Sequence, residues 1–232
     1  MTNLQRLMNV GFMGSQGRMG KEISDLLVVR NITILGLGRA DSSVSAKTPA
    51  PDLVIDFSSP EGFRESLRLA QKWNCPFLSG TTGLQKSELQ PLRKASEKIP
   101  VLWAPNMSLG IAVLKKAMMA LKGLQGFDFQ IEEIHHRHKK DSPSGTALSL
   151  QETLSTILET KLPPPVSIRA GGIFGVHQIH AISEHEWLRF EHQALDRKVF
   201  AEGAIQAAHW LHRRSQQSNR AGLYTMDDVL NG

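Results

Sequence analysis

The 232-residue sequence contains a single cysteine, Cys75, and no long uninterrupted run of apolar residues. One cysteine cannot form an internal disulfide bond. The N-terminal segment also lacks the apolar stretch followed by small residues that a secretory signal requires. Because a membrane-spanning helix needs about 18 or more apolar residues in succession, a membrane span is excluded as well. These absences predict a cytoplasmic protein with no membrane partner.

The net charge of the chain is small. The chain has 27 lysines and arginines against 22 aspartates and glutamates, a formal net charge of +5. The basic residues are spread along the chain, and the densest run, 137–140, is interleaved with histidines. Nucleic-acid binding is therefore disfavoured, whereas a solvated surface and a pocket for a small anion both remain open. Hydrophobic residues make up 41% and charged residues 21%, proportions that are typical of a packed globular protein.

The first half of the chain alternates short apolar segments with helical patterns. The segments that predict strands are 7–12, 32–37, 52–57, 76–79 and 101–103. They are too continuously apolar for a strand with one solvated face, so parallel pairing fits them best. Ser59 and Pro60 suit the N-cap and first positions of a helix. This alternation predicts an α/β fold with a Rossmann-like, doubly wound parallel sheet.

The pattern changes after residue 107. A helix follows Ser108, and strands are then predicted at 127–135, 166–170, 176–183 and 186–192 with only one more helix among them. This order indicates a second domain of α+β type built on a mixed sheet. A final helix at about 200–213 returns the chain to the first domain. We therefore expect one domain at 1–107, completed by 198–232, and a second domain at 108–197.

Four glycines, Gly11, Gly14, Gly17 and Gly20, connect the first strand to the first helix. Residues without a Cβ let the backbone approach a pyrophosphate, and free amides at the helix N-terminus neutralise it. Arg18 adds a cation. The alternative is a tight turn that only packs helix on strand, but the order of strand, turn and helix favours a dinucleotide site.

The second strand ends at Gly38 and Arg39, about 20 residues past the glycine turn. An NAD-specific site usually has an acidic residue at this place to bind the ribose hydroxyls. Gly38 leaves space instead, and the Arg39 guanidinium could bind a 2′-phosphate, which favours NADPH. Arg39 could also be an exposed cation at the end of the strand, and Asp41 could still reach the ribose.

The stretch at 132–148, EEIHHRHKKDSPSGTAL, combines three kinds of functional group. Imidazoles exchange protons near neutral pH, cationic side chains bind carboxylates, and Ser144 opens a helix whose N-terminal amides attract anions. His136 and His138 would share one face of a strand and could chelate a metal ion. Because the neighbouring lysines and arginine would repel a divalent cation, we expect no metal site. A polar surface strand that leads to a helix cap is the remaining alternative.

These motifs closely resemble those of the dihydrodipicolinate reductase family. Residues 133–147 match the family pattern E-x-H-H-x-x-K-x-D-x-P-S-G-T-A, and residues 14–20 match G-x-x-G-R-M-G. Agreement extends through the segments 56–58, 80–83, 106–108, 169–171 and 222–224. The resemblance covers nearly the whole chain.

The resemblance implies a reductase that uses NADPH or NADH to reduce the dehydrated form of 4-hydroxy-tetrahydrodipicolinate, in diaminopimelate and lysine biosynthesis. By the family pattern, His135 is the acid/base residue and Lys139 the proton donor. The residues implied to bind the substrate carboxylates are His136, Lys139, Gly145, Thr146 and Arg197. The residues implied to bind the cofactor are Gly14, Ser15, Gln16, Gly17, Arg18, Met19, Arg39, Gly80, Thr81, Thr82, Ala104, Pro105, Asn106 and Met107.

Family members are homotetramers built through the C-terminal sheet, so alternate residues of 176–192, such as Ile179 and Ile182, are expected between subunits. The sequence departs from the family pattern in three places. The segment after Arg39 is short, Gly38 stands in place of the usual acidic residue, and Met107 stands where the family commonly has an aromatic residue. The alternative function is a noncatalytic NAD(P)-binding sensor of the same fold, which would have no need for His135 together with Lys139.

Overall fold

The computed structural model describes residues 9–38 and 48–232, which form ten strands and seven α-helices. The strands are Asn9–Met13 (β1), Thr33–Gly36 (β2), Leu53–Asp56 (β3), Phe77–Ser79 (β4), Pro100–Trp103 (β5), Asp128–His135 (β6), Val166–Arg169 (β7), Gly175–Ile182 (β8), Trp187–Ala194 (β9) and Gly222–Tyr224 (β10). The helices are Arg18–Val29 (α1), Pro60–Trp73 (α2), Lys86–Ser96 (α3), Leu109–Ala117 (α4), Gly145–Leu158 (α5), Lys198–Ser215 (α6) and Met226–Asn231 (α7). A 3₁₀ segment, Met118–Gly123, follows α4.

The chain divides into two compact units. The first comprises Met1–Ser108 and Phe200–Gly232, and the second Leu109–Val199. The first unit contains a six-stranded sheet in the order β10-β5-β4-β3-β1-β2, and all its strand pairs are parallel. All four residues of β3 are buried, as expected for a parallel sheet that helices cover on both faces. The predicted parallel fold class is confirmed.

Helix α2 begins as the sequence predicts. Ser59 is its N-cap, where the side-chain oxygen accepts a hydrogen bond from the Gly62 amide at 3.3 Å, and Pro60 follows in the first turn. The helix buries Phe63 and Leu67 against the sheet core. It ends at Asn74, which adopts a left-handed conformation with φ of 51°.

The second unit contains a four-stranded mixed sheet in the order β7-β6-β8-β9. Strand β7 pairs parallel with β6, whereas β8 pairs antiparallel with both β6 and β9. One face of this sheet packs against α4, the 3₁₀ segment and α5, through a core that includes Ile131, Ile179 and Leu150. The predicted mixed sheet is confirmed.

One sequence expectation needs correction, and one strand was not predicted. Ile179 is 0% exposed because it lies under the helices of its own unit, so it cannot be buried between subunits as predicted. Side chains alternate along β8, and Ile182 lies on the opposite face, where it is 39% exposed. Strand β10 was not predicted either: it has only three residues and joins the sheet through parallel pairing with β5.

Arg39 and Asp41 lie outside the residues that the structure describes. Across 9–38 and 48–232, no helix combines the length and the apolarity needed to cross a membrane.

Helix α6 packs closely on the segment that precedes α4. A Cβ at Gly203 would lie only 1.8 Å from the carbonyl oxygen of Met107. An alanine inside a helix normally stabilises it by about 0.5–1 kcal/mol relative to glycine. Because this contact involves backbone, we expect Gly203→Ala instead to lower the free energy of unfolding by about 1–3 kcal/mol, as measured by urea denaturation.

The exposed position Gln206 on the same helix provides the control. Gln206→Ala should change stability by less than about 0.5 kcal/mol. A Gly203→Ala variant as stable as the wild type would contradict the close packing.

Candidate active site

The glycine-rich turn between β1 and α1 is closely packed and leads into a helix N-terminus without a side-chain cap. Gly14 has a φ of +91°, and a Cβ on it would lie 2.3 Å from the carbonyl oxygen of Phe57. A Cβ on Gly20 would lie 2.0 Å from the carbonyl oxygen of Gly14. Gly17 is the N-cap of α1, and among the described residues no side chain caps this helix. Its first amides therefore lack intrahelical partners and can receive a phosphate.

Apart from Arg39, which is outside the described residues, the other predicted cofactor residues lie in this turn, at the start of α1, or directly after β4 and β5. Carboxyl ends of parallel strands share one edge of a sheet, which is where such sheets bind dinucleotides. Ser15 and Gln16 lie in the turn and Arg18 and Met19 begin α1, and of these Gln16 and Arg18 are exposed. Those after the strands are Gly80, Thr81, Thr82, Ala104, Pro105, Asn106 and Met107.

A buried carboxylate, Asp56, links several of these segments. It is 0% exposed and accepts hydrogen bonds from Ser79 Oγ and Thr81 Oγ1, each at 2.7 Å, and from Ser58 Oγ. Burial raises the pKa of Asp56, and the hydroxyl bonds counteract part of that rise. Asp56 is not among the site residues predicted from the sequence, although it lies in the segment 56–58 that resembles the family.

The segment after β5 is partly buried. Met107 is 2% exposed, and Asn106 Oδ1 accepts a hydrogen bond from the Ser108 amide at 2.8 Å. Trp103, the last residue of β5, donates from Nε1 to the carbonyl oxygen of Thr81 at 3.1 Å. The loops after β4 and β5 are thus tied together at the edge of the sheet.

In the second unit, the end of β6 carries a histidine–carboxylate pair. Glu133 and His135 are two residues apart in a strand, so both side chains lie on the same face. Glu133 is 0% exposed, and His135 donates from Nδ1 to Glu133 Oε2. Because an ionised carboxylate only accepts, the proton of neutral His135 is on Nδ1, which leaves Nε2 as the proton acceptor.

Arg169 neutralises the Glu133 carboxylate from the neighbouring strand β7. Its Nη1 and Nη2 donate to the two Glu133 oxygens at 2.9 and 2.6 Å, and the Ser144 amide donates to Oε1 at 3.1 Å. Burial raises the pKa of Glu133, but these bonds outweigh burial and lower it to about 2. Glu133 therefore remains ionised. Burial lowers the pKa of His135, and contact with Glu133 only partly offsets this.

A second buried histidine, His177 on β8, packs against this pair. Its ring centroid lies 5.1 Å from that of His135, and its Nε2 shares a hydrogen bond with Ser144 Oγ at 3.3 Å. Its Nδ1 has no hydrogen-bond partner among the described residues. Burial and the neighbouring His135 lower the pKa of His177 to about 3, so its ring is neutral at physiological pH.

The loop between β6 and α5 holds a carboxylate of its own. Lys139 Nζ lies 2.8 Å from Asp141 Oδ1. Partial burial raises the pKa of Asp141, but Lys139 and the Gly145 amide outweigh this and lower it. Ser144 caps α5 by accepting from the Ala147 amide at 3.2 Å. A lysine and a helix N-terminus therefore already bind a carboxylate together here.

The other predicted substrate residues are less closely tied to this cluster. His136 is half-buried, and its amide donates to the carbonyl oxygen of Ile173 at 2.7 Å. Thr146 is half-buried in the first turn of α5, and Arg197 is half-buried just before α6. Within the described parts of the chain, no group of three or more His, Cys, Asp or Glu could hold a metal ion.

Three members of the cluster are not among the site residues predicted from the sequence: Glu133, Arg169 and His177. The two-residue spacing of Glu133 and His135 was a usable signal, because a strand puts both on one face. Arg169 faces His135 only through the parallel register of β6 and β7, and His177 faces Glu133 through the antiparallel register of β6 and β8. Neither register can be read from the sequence.

Two features of this chain are together typical of dinucleotide-dependent oxidoreductases. One is the parallel sheet with its glycine-rich turn, and the other is the histidine–carboxylate cluster beside a lysine. The family model described as dihydrodipicolinate reductase, N-terminus, matches residues 8–107, and the model described as dihydrodipicolinate reductase, C-terminus, matches residues 107–230. The chain therefore belongs to the dihydrodipicolinate reductase family. The predicted family and the predicted class, an NAD(P)H-dependent oxidoreductase, are confirmed.

Two relatives and one solved structure are similar over nearly full length. The 4-hydroxy-tetrahydrodipicolinate reductase of Bdellovibrio bacteriovorus is 48% identical over 225 residues, 96% of each chain. That of Sulfurimonas denitrificans is 36% identical over 258 residues, 97% of this chain and 99% of the relative. A dipicolinate-bound dihydrodipicolinate reductase from a Paenisporosarcina species superposes with a TM-score of 0.74 at 22% identity, covering 95% and 98% of the two chains, which shows the fold.

The lowered pKa of His177 makes stability depend on pH. Its pKa is about 3 in the folded protein and 6.5 without the fold, so between these values the unfolded chain binds more protons. Stability should therefore fall as the pH is lowered from 6.5 towards 3. We expect the wild type to lose about 1 kcal/mol per pH unit more than His177→Gln in urea titrations between pH 6.5 and 4.5.

The exposed His185 provides the control, because His185→Gln should follow the wild-type pH dependence. The lower limit of pH 4.5 avoids the range in which Glu133 protonates. Parallel pH curves for the wild type and His177→Gln would show that His177 is not held neutral by the fold.

Proposed function

We propose that this chain uses NADPH or NADH to reduce the ring formed when 4-hydroxy-tetrahydrodipicolinate loses water, with tetrahydrodipicolinate as the product, in diaminopimelate and lysine biosynthesis. The Glu133–Arg169–His135 cluster, beside Lys139 and the N-terminus of α5, is the observation that carries this proposal. It combines a proton acceptor, a cation and a carboxylate-binding helix end in one unit. A relative that is 48% identical over 96% of the chain carries the same activity in its name.

The first unit has the features that a dinucleotide needs. The tight contacts of Gly14 and Gly20 leave no room for a side chain, and the first amides of α1 face the turn without a side-chain cap. When bound, a reduced nicotinamide supplies the hydride. We propose the same cofactor-binding residues that the resemblance to the family implies, from Gly14 to Met107. NADPH preference through Gly38 and Arg39 stays a prediction.

The second unit would bind the dicarboxylate. Lys139 and the Gly145 amide already act on the carboxylate of Asp141, an interaction within the chain that supports this proposal. A substrate carboxylate would take the place of Asp141 at these donors. His136, Thr146 and Arg197 are the further proposed contacts. We accordingly assign 1–107 with 198–232 to the cofactor and 108–197 to the substrate and to oligomerisation.

Proton transfer completes the reaction. Hydride addition to one carbon of a conjugated imine leaves negative charge on the substrate, and a nearby acid must quench it. Lys139 would supply the proton from Nζ. His135, which Glu133 holds with Nε2 as an acceptor, would exchange protons at that atom.

The catalytic roles are tested by two substitutions. We expect His135→Gln and Lys139→Ala each to lower kcat by about 100-fold or more, the usual contribution of an acid/base group. The measurement is NAD(P)H oxidation with freshly generated substrate. The exposed residues His185 and Lys161 provide matched controls, and His185→Gln and Lys161→Ala should retain wild-type rates.

Unchanged rates in both site variants would refute the assigned roles. The alternative, a noncatalytic NAD(P)-binding sensor, predicts cofactor binding by the wild type without any substrate-dependent oxidation.

A homotetramer built through the second sheet is also proposed. The sheet face away from α4 and α5 exposes Trp187 by 61%, Val166 by 47% and both Ile168 and Ile182 by 39%. These residues lie on one face by the strand registers. A cytoplasmic location likewise stays a prediction.

We expect light scattering to give the mass of a tetramer for the wild type and a smaller mass for Trp187→Glu, because a charge at this apolar face would be buried without a partner. Val29 is 78% exposed on α1 of the first unit, and Val29→Glu should leave the mass unchanged. A monomeric wild type would overturn the assembly.

A further inference from the structure

Asp56 is a buried carboxylate for which the proposed reaction has assigned no role. It is the last residue of β3 and is 0% exposed, and no basic side chain of the described residues forms an ion pair with it. A buried charge of this kind is costly unless hydrogen bonds compensate it. Three hydroxyl groups, those of Ser58, Ser79 and Thr81, provide that compensation.

The hydroxyl groups around Asp56 are placed to donate to an ionised carboxylate. Thr81 Oγ1 accepts from the Ser58 amide at 3.0 Å, and Ser79 Oγ accepts from the Thr81 amide at 3.2 Å. Each amide occupies one of the two lone pairs of its hydroxyl, and a carboxyl group could donate to no more than one of these hydroxyls, so at least one hydroxyl proton is directed at Asp56 Oδ2. Burial raises the pKa of Asp56, and its hydrogen bonds with the three hydroxyls oppose that rise. When ionised, Asp56 places a negative charge at the carboxyl edge of the parallel sheet.

The strand order places this charge on one side of the glycine turn. In the sheet, β1 lies between β2 and β3, and β4 follows β3. A dinucleotide whose pyrophosphate sits at α1 extends its two halves to opposite sides of β1. The ribose of the adenosine half belongs with the end of β2, so the nicotinamide half belongs with the ends of β3 and β4. Asp56 and its donor Thr81 lie at those two ends.

We propose that the Asp56 carboxylate is a buried counter-charge for the oxidised nicotinamide, which it favours over the reduced ring when the cofactor is bound to the first unit. Loss of hydride leaves the nicotinamide ring with a positive charge, and a fixed negative charge in a dry environment stabilises that state. The effect makes the bound cofactor a stronger hydride donor. This inference rests on the cofactor placement of the proposed function.

The decisive variant is Asp56→Asn, which removes the charge with little change of shape. Its Oδ1 can still accept from Ser79 and Thr81, and one N–H of its Nδ2 can donate to Ser58 Oγ, so all three hydroxyl contacts can be kept. The measurement is the pair of dissociation constants for NADP⁺ and NADPH, determined by calorimetry and fluorescence without substrate. We expect the ratio Kd(NADP⁺)/Kd(NADPH) to rise about tenfold in Asp56→Asn, which corresponds to about 30 mV for a two-electron couple.

Two further variants separate charge from structure. Ser58→Ala keeps the carboxylate but removes one hydrogen bond, so it should weaken both cofactor forms by a similar factor and leave the ratio unchanged. Asp227→Asn removes an exposed charge on α7 and should change neither constant. If circular dichroism shows that Asp56→Asn is unfolded, Asp56→Ser replaces it with the same expected ratio.

If the folded Asp56→Asn or Asp56→Ser variant keeps the wild-type ratio Kd(NADP⁺)/Kd(NADPH), this inference is overturned. It is also overturned if Ser58→Ala shifts this ratio as much as the substitution of Asp56 does. Both results would leave the proposed function intact, provided that the wild type binds NADPH and oxidises it with substrate. A wild type that binds neither cofactor form would overturn the proposed function and this inference together.

Discussion

The buried Glu133 carboxylate is the constraint on which the second unit depends. A negative charge that is 0% exposed must be compensated, and the compensation comes from Arg169, His135 and the Ser144 amide. These three partners belong to β7, β6 and the start of α5. One carboxylate therefore holds the ends of two strands and a helix N-terminus in register, and the same bonds set the tautomer of His135. The network that compensates the charge also leaves free the His135 nitrogen that the proposed proton exchange uses.

The histidines of this sheet show how burial distributes charge. Burial lowers the pKa of His135, His177 and His192, so these rings add no permanent positive charge beside Arg169. The positive charges near His135 belong to side chains that have acidic partners, such as Lys139 with Asp141. A site of this kind can receive carboxylates at the loop and the α5 N-terminus while His135 keeps an unprotonated nitrogen for proton exchange.

The two units rely on different groups. The first uses glycines, backbone amides and hydroxyls around Asp56, which suits a phosphate and a ring that many enzymes share. The second uses charged side chains in fixed pairs, which suits recognition of a particular dicarboxylate. In both units, residues proposed to carry chemistry lie at strand ends, such as Asp56 in β3, His135 in β6 and Arg169 in β7, because the sheet holds strand ends rigidly while the loops beyond them remain accessible.

Local sequence determined the order of strands and helices, the glycine turn, the capping of α2 by Ser59, and the motif that carries His135 and Lys139. These features depend on residues near one another in the chain, so periodicity and capping chemistry report them. Only the tertiary structure decided that Ile179 lies under its own helices, that β10 joins the sheet, and that Arg169 reaches Glu133. Each of these depends on which strands pair and in what register, and pairing between distant segments is settled by the packing of the whole sheet rather than by local preference.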